Sequence, residues 1–260
     1  MRIDGPSGTR LPRAVHDLAI RLGVRTGLGP SGVTLTQTGR MKSNVRSKAW
    51  MPFTASQTLS TQSCEFDWRA RAGPLGLISG RDALLKGEGR FDIMALGVIP
   101  LARAAHTAAL VRGELIRYLA EIAWAPQAIL HNPALRWEVI DSDTLSVGAG
   151  SDETACRVLL SLDGDGRIAA AFAADRPRSA LAPTLPTPWR GRFSDYRLHA
   201  GHWLPFAGEV AWEMDGESLI YWQCWIDDWQ ESAGDLTPTR SFRAAWMSHH
   251  RPPGSRPAPH

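Results

Sequence analysis

The sequence predicts an α+β fold, mostly antiparallel β: a curved sheet or incomplete β-barrel wrapped around one central helix. Three observations predict it. Only one long stretch, Arg112–His131, repeats its apolar residues at helical spacing. Segments of alternating polarity, punctuated by Gly and Pro, lie on both sides of it. Eleven tryptophans supply large apolar bodies of the kind that fill a wide β-structure or wall an apolar pocket.

The elements follow in chain order. Residues 1–12 are expected to be disordered. Arg13–Leu22 reads as an amphipathic helix, with Val15, Leu18, Ala19 and Leu22 on one face. Gly27-Leu28-Gly29-Pro30-Ser31-Gly32 matches G-x-G-x-x-G, but a helix precedes it and a strand, Val33–Thr38, follows. A dinucleotide loop needs the reverse order, so this is read as a flexible turn. Four or five strands are expected between Gly32 and Ala105. Cys64–Arg71 alternates, placing Cys64, Phe66, Trp68 and Ala70 on one face and Glu65, Asp67, Arg69 and Arg71 on the other. Gly73-Pro74 and Gly76 mark a turn, and Leu84–Gly89 and Phe91–Ile99 read as strands with Gly97 as a bulge.

In the central helix Leu115, Ile116, Leu119, Ile122 and Ala123 form the apolar face, and Arg117, Glu121 and Trp124 share an adjoining one. Pro126 ends the first segment at Trp124 or Ala125 and starts a second short helix. A loop with Asn132, Pro133 and Asp141 follows, then strands Thr144–Gly148, Cys156–Leu162 and Arg167–Ala174. Asp163-Gly164-Asp165-Gly166 lacks the remaining ligands of a calcium loop and reads as a hairpin turn. Residues 175–188 are proline-rich and read as irregular. Trp189–Trp229 reads as a meander of three or four strands, with turns at His199–His202 and Asp215-Gly216. The expected organisation is an N-terminal helix and flexible segment over 1–32, one β-rich domain over 33–230 holding helix 112–131, and a disordered tail over 231–260.

Composition narrows the function classes. A hydrophobic content of 43% supports a sizeable core. No run of about 18 apolar residues is present, so no membrane span is expected. The first residues lack the apolar centre of a secretory signal, which places the protein in the cytoplasm as an expectation. Cys64, Cys156 and Cys224 are far apart and read as reduced, mostly buried thiols. Residues 1–48 carry nine Lys/Arg and two Asp, and residues 237–260 four Arg and no acid, so the body between them is acidic. That is the reverse of a nucleic-acid groove, and no nucleic-acid partner is expected. No zincin, Walker or nucleophile-elbow motif is present, and the eight histidines form no ligand pair with a nearby acid. No metal and no cofactor is expected.

What remains is general acid–base chemistry. Arg117 and Glu121 stand four apart on the helix, as an exposed ion pair or as a carboxylate held by a guanidinium at a pocket. Glu209 interrupts the apolar strand Gly208–Trp212, as an outward residue or an inward acid. Tyr196 and His131 are secondary proton donors. A carboxyl among indoles is desolvated, and this suits it to exchange a proton near neutrality.

Several segments carry a family likeness: Trp50-Met51-Pro52-Phe53-Thr54-Ala55, Gly113–Glu121, Pro186–Arg197, Pro205, Gly208-Glu209-Val210-Ala211-Trp212 and Tyr221-Trp222. Together, from about Gly39 to Trp229, they resemble an uncharacterised bacterial domain-of-unknown-function family. The resemblance implies the incomplete β-barrel of the lipoprotein-carrier class and brings no established activity. Residues 175–185 and the stretch before Gly113 depart from the family pattern.

The resulting expectation is a cofactor-independent lyase or isomerase. It would act on a hydrophobic or aromatic small molecule in a cavity walled by Trp50, Trp124, Trp212, Tyr221 and Trp222. The alternative is a non-catalytic carrier for a lipid-like or aromatic ligand in the same cavity, and a third reading is an interaction module with no ligand. The oligomeric state is left open.

Overall fold

The computed structural model describes residues 11–27, 29–104, 106–178 and 184–232. Helix α1 (Arg13–Arg21) leads into six strands: β1 (Gly32–Met41), β2 (Met51–Ser60), β3 (Phe66–Ala72), β4 (Ile78–Leu85), β5 (Glu88–Ala95) and β6 (Ile99–Ala104). Helix α2 (Ala108–Ala120), a 3₁₀ turn (Glu121–Trp124) and α3 (Ala128–His131) follow. The second run is β7 (Arg136–Val139), β8 (Thr144–Ala149), β9 (Cys156–Leu162), β10 (Ile168–Pro177), β11 (Pro186–His199), β12 (His202–Met214) and β13 (Glu217–Ser232).

All thirteen strands form one sheet, ordered β6-β5-β4-β3-β2-β1-β13-β12-β11-β10-β9-β8-β7. Every pairing is antiparallel, and each is between chain neighbours except β1 with β13. The two meanders are thus joined in the middle of the sheet, and the outer strands β6 and β7 do not pair. The result is the half-barrel that the sequence predicts.

Helix α2 lies inside it. Thr107 caps α2, its hydroxyl accepting from the Leu110 N–H at 3.1 Å. The helix packs on β9 and β10 of one arm and β4 and β5 of the other. It is buried nearly all round, including Leu110, Val111, Leu115, Ile116, Tyr118 and Leu119, as a helix enclosed by a sheet must be. The Tyr118 hydroxyl donates to the Ser60 carbonyl at 2.8 Å and accepts from Asn132 at 2.9 Å, so a buried phenol is fully used. The apolar face of α1 is buried as its periodicity predicts, with α1 packed beside α3 and β7.

The structure differs from the expected elements in several places. The helix begins four residues earlier, at Ala108, because Thr107 supplies a cap that periodicity does not register. It tightens to 3₁₀ at Glu121, and Ala125 leaves helical geometry before Pro126. Leu84–Gly89 is not a strand but the β4–β5 hairpin, where Lys86 and Gly87 both take positive φ (53° and 77°). Gly97 likewise sits in the β5–β6 turn beside Leu96. Arg136–Val139, read as loop, is edge strand β7. Of the stretch 175–188, β10 runs to Pro177 and β11 starts at Pro186, while 179–183 lie outside the described residues. Of the two segments expected to be disordered, 1–10 and 233–260 also lie outside them.

Candidate functional site

Alternation along β1, β2, β3 and β4 turns Gln37, Gln57, Trp68 and Asp82 toward the helix. There they meet Glu114, Arg117 and Glu121, and the seven form one polar cluster within an apolar interior. Arg117 donates from Nε to Glu121 Oε1 at 2.9 Å and from Nη1 to Asp82. Its guanidinium also stacks over Phe66 at 4.9 Å and Trp68 at 5.2 Å. Gln57 donates to the other Glu121 oxygen, Gln37 donates to Gln57 at 3.3 Å, and the Trp68 indole N–H donates to Gln37 at 3.1 Å. Burial opposes the Arg117 charge, but the charges of Glu121 and Asp82 outweigh it and hold the guanidinium protonated. Asp82 Oδ1 and Glu114 Oε2 are buried with no donor among the described residues. Burial, and then the Asp82 charge, pushes the Glu114 carboxyl well above the usual range. Burial thus favours the neutral form of Glu114, and a neutral carboxyl has an O–H donor to offer toward Asp82.

Further toward the β12–β13 turn the same face becomes aromatic. Trp212 stacks on Tyr221 (centroids 6.0 Å, planes 15° apart), and Phe53 stacks on Trp222 (5.7 Å, 23°). The Trp189 N–H donates to the Tyr221 hydroxyl at 3.0 Å. A bulge between Val210 and Ala211 leaves Tyr221 without a partner on β12, between Trp222 and Ile220. Gly39 makes room for the Phe53 ring: a Cβ there would lie 2.5 Å from the ring and 2.4 Å from the Gln223 carbonyl. Tyr221 and Trp222 are half-buried, whereas Trp189 and Trp212 are buried.

The residues singled out from the sequence therefore separate. Arg117 and Glu121 are together in the interior. Trp212, Tyr221 and Trp222 are together on the aromatic stretch. Trp124 is packed beneath β11 and β12, edge-on to Phe193 at 5.2 Å, its N–H given to the Pro205 carbonyl at 2.8 Å. Trp50 lies against Arg40 and Lys42, each 4.8 Å away. Arg40 bonds Gln223, and Gln223 donates to Glu209 at 3.0 Å. Glu209 is on the convex face, because its neighbour Gly208 faces Trp124 on the concave one. It lines a small depression of about 140 Å³ with Arg190, Arg192, Ala211, Ser218 and Ile220. The Tyr196 hydroxyl donates to the Ile168 carbonyl at 2.7 Å, and burial pushes its pKa far up, so it is a poor proton donor. His131 lies beneath Gly29, with Nε2 buried and without a partner among the described residues.

Sequence reasoning missed Gln37, Gln57, Asp82, Glu114, Phe53 and Trp189. The signal was present for the first three: each stands at an inward position of an alternating strand. Asp82 was lost because the strand expected from Leu84 in fact begins six residues earlier, at Ile78.

Fold and site together define a half-barrel protein with a polar cluster and an aromatic stretch on its concave face. The model of a family of unknown function, DUF6544, matches residues 3–224, and the chain belongs to that family. No curated protein matches it. Among solved structures it is similar to a LolA superfamily protein from Nitrosomonas europaea. The identity there is 11% and the TM-score 0.47, with 86% of this chain and 94% of that one covered. It is also similar to a DUF1329 family protein from Desulfovibrio piger, at 14% identity and a TM-score of 0.44, covering 93% and 98%. No helix among the described residues is long and apolar enough to cross a membrane.

The lyase or isomerase expected from the sequence is corrected here. The physical reason lies in the carboxylates. Glu121 has both oxygens committed to Arg117 and Gln57, and Glu209 is on the other face of the sheet. A general acid or base must reach the proton it moves, and neither carboxyl is free on the concave aromatic stretch to do so.

Proposed function

We propose that this protein is a non-catalytic binding protein for a hydrophobic, lipid-like or aromatic ligand held on the concave face of the half-barrel. The observation that carries this reading is the pair of aromatic stacks, Trp212–Tyr221 and Phe53–Trp222, on the inner face of a sheet whose edges do not close. Stacked rings offer a broad, rigid apolar surface at small entropic cost, and hydrophobic sites are mostly apolar with a few polar groups. Cytoplasmic residence is part of the proposal, supported by three free cysteines, two of them buried.

Two measurements test it. Native mass spectrometry of protein purified from its own cell is expected to show a co-purifying small molecule. The neutral probe N-phenyl-1-naphthylamine is expected to bind saturably, and Trp212→Ala or Tyr221→Ala to weaken that binding about tenfold, the scale of one lost aromatic contact. Protein that carries no adduct and gives no saturable probe signal would falsify the reading.

A further inference from the structure

Among the described residues, a cation on the concave face has no counter-ion. Arg176 sits near the end of β10, where the pairing with β11 shifts between Ala173 and Arg176. The shift keeps Arg176 on the face of Ala173 and Trp189, toward the interior. Its guanidinium lies 4.7 Å from the Trp189 ring and 5.8 Å from the Trp212 ring. Among the described residues it makes no hydrogen bond and no ion pair. The other arginines around it are paired: Arg112 with Asp175, Arg117 with Asp82 and Glu121, and Arg190 with Glu213. The carboxyl whose field it enters, Glu114, is buried, burial pushes its pKa well above the usual range, and it makes no ion pair with Arg176. A half-buried guanidinium over two indoles therefore presents its five N–H donors with no protein acceptor.

Indoles lower the dielectric around a cation without competing for its donors. They also hold the guanidinium plane, which favours bidentate recognition of a planar or tetrahedral oxyanion. The Trp212–Tyr221 and Phe53–Trp222 stacks continue from this point along the same face.

We propose that Arg176 is the head-group site for an anionic amphiphile, with the carboxylate or phosphate on its guanidinium and the hydrocarbon along Trp212, Tyr221, Trp222 and Phe53. This rests on the binding reading above and names the ligand class that reading leaves open. It also accounts for an inward-facing arginine whose charge is left unpaired among the described residues.

The experiment compares 11-(dansylamino)undecanoate with its methyl ester on the wild-type protein, Arg176→Gln and Arg176→Lys. The acid and the ester share a chain and a fluorophore and differ in charge. A charge-assisted hydrogen bond in a desolvated site sets the expected loss: roughly 10- to 100-fold in affinity for the acid in Arg176→Gln. The ester is expected to change less than twofold, and Arg176→Lys to fall between, keeping the charge and losing the fork. Near-UV circular dichroism of the tryptophans checks that each variant is folded. Displacement by oleate and by lysophosphatidate then separates a carboxylate head from a phosphate one, and the stronger competitor identifies the source. Equal losses for acid and ester, or no loss for the acid, overturn the head-group site while leaving the binding reading intact. Wild-type protein that binds neither probe overturns the binding reading and this site with it.

Discussion

The interior guanidinium offers the sharpest test of the structural reasoning. Arg117→Met keeps much of the apolar length that lies over Phe66 and Trp68 but removes the cation shared by Glu121 and Asp82. All three side chains are largely buried, at 13%, 11% and 14% exposure, so solvent cannot replace what is lost. Removing one partner of a buried pair costs about 3–5 kcal/mol, because a charge is left uncompensated. Here two carboxylates are stranded, which places the cost toward the upper end, at about 4–5 kcal/mol. At roughly 2–4 °C per kcal/mol for a domain of this size, Tm is expected to fall by roughly 8–20 °C. The assay is thermal unfolding followed by tryptophan fluorescence, with guanidinium unfolding as the equilibrium check. A double-mutant cycle adds specificity: Glu121→Gln in the Arg117→Met background removes one stranded charge, and a coupling of about 1–3 kcal/mol is expected. A drop in Tm below about 3 °C with no coupling would mean that the cluster is solvated and that its ion pairs are not a unit.

Three further outcomes follow from the geometry. Burial raises the pKa of Asp67, but hydrogen bonds from Arg81 and Arg69 outweigh it and hold the carboxyl below its ordinary value. Its stabilisation is therefore fully present above the unfolded-state value of about 3.9 and is lost as pH falls through the lower folded-state value. Asp67→Asn should flatten the acid limb of a stability–pH curve, and an unchanged limb would contradict the assignment. Gly39→Ala puts a Cβ 2.4 Å from the Gln223 carbonyl and 2.5 Å from the Phe53 ring, so β1 must shift; the expected loss is about 1–3 kcal/mol by denaturant unfolding, with weaker probe binding from the disturbed Phe53–Trp222 stack. Thr107→Ala removes the α2 cap and should cost about 1 kcal/mol, read as a lowered denaturation midpoint at constant slope.

Part of the site was legible in the chain and part was not, and particular residues show the division. The i, i+4 spacing brings Arg117 and Glu121 together whatever surrounds them, so their pairing follows from the helix alone. Whether that pair faces water or the interior does not, because periodicity describes one element and burial depends on what packs against it. Asp82 and Glu114, 32 residues apart, meet only when β4 is laid against α2. Arg176 is harder still: strict alternation from Ala173 would turn it outward, and one shift of register turns it in. Glu209 shows the opposite case, since a strand lists its two faces without saying which one is concave.

The sequence by itself determined the fold class, the central helix and its stop at Pro126, the amphipathic α1 and most of the hairpins. Each of these is local: spacing of apolar residues, a proline without an N–H, a glycine that accepts positive φ. The tertiary structure alone decided the pairing of β1 with β13 and the enclosure of a helix with two carboxylates and an arginine inside it. It also decided the splitting of five expected ligand aromatics between the core, the convex side and one concave stretch. These are contacts between residues far apart in the chain, and their energy comes from burial and charge compensation. Neither is a property of any single segment, so no window of sequence contains them.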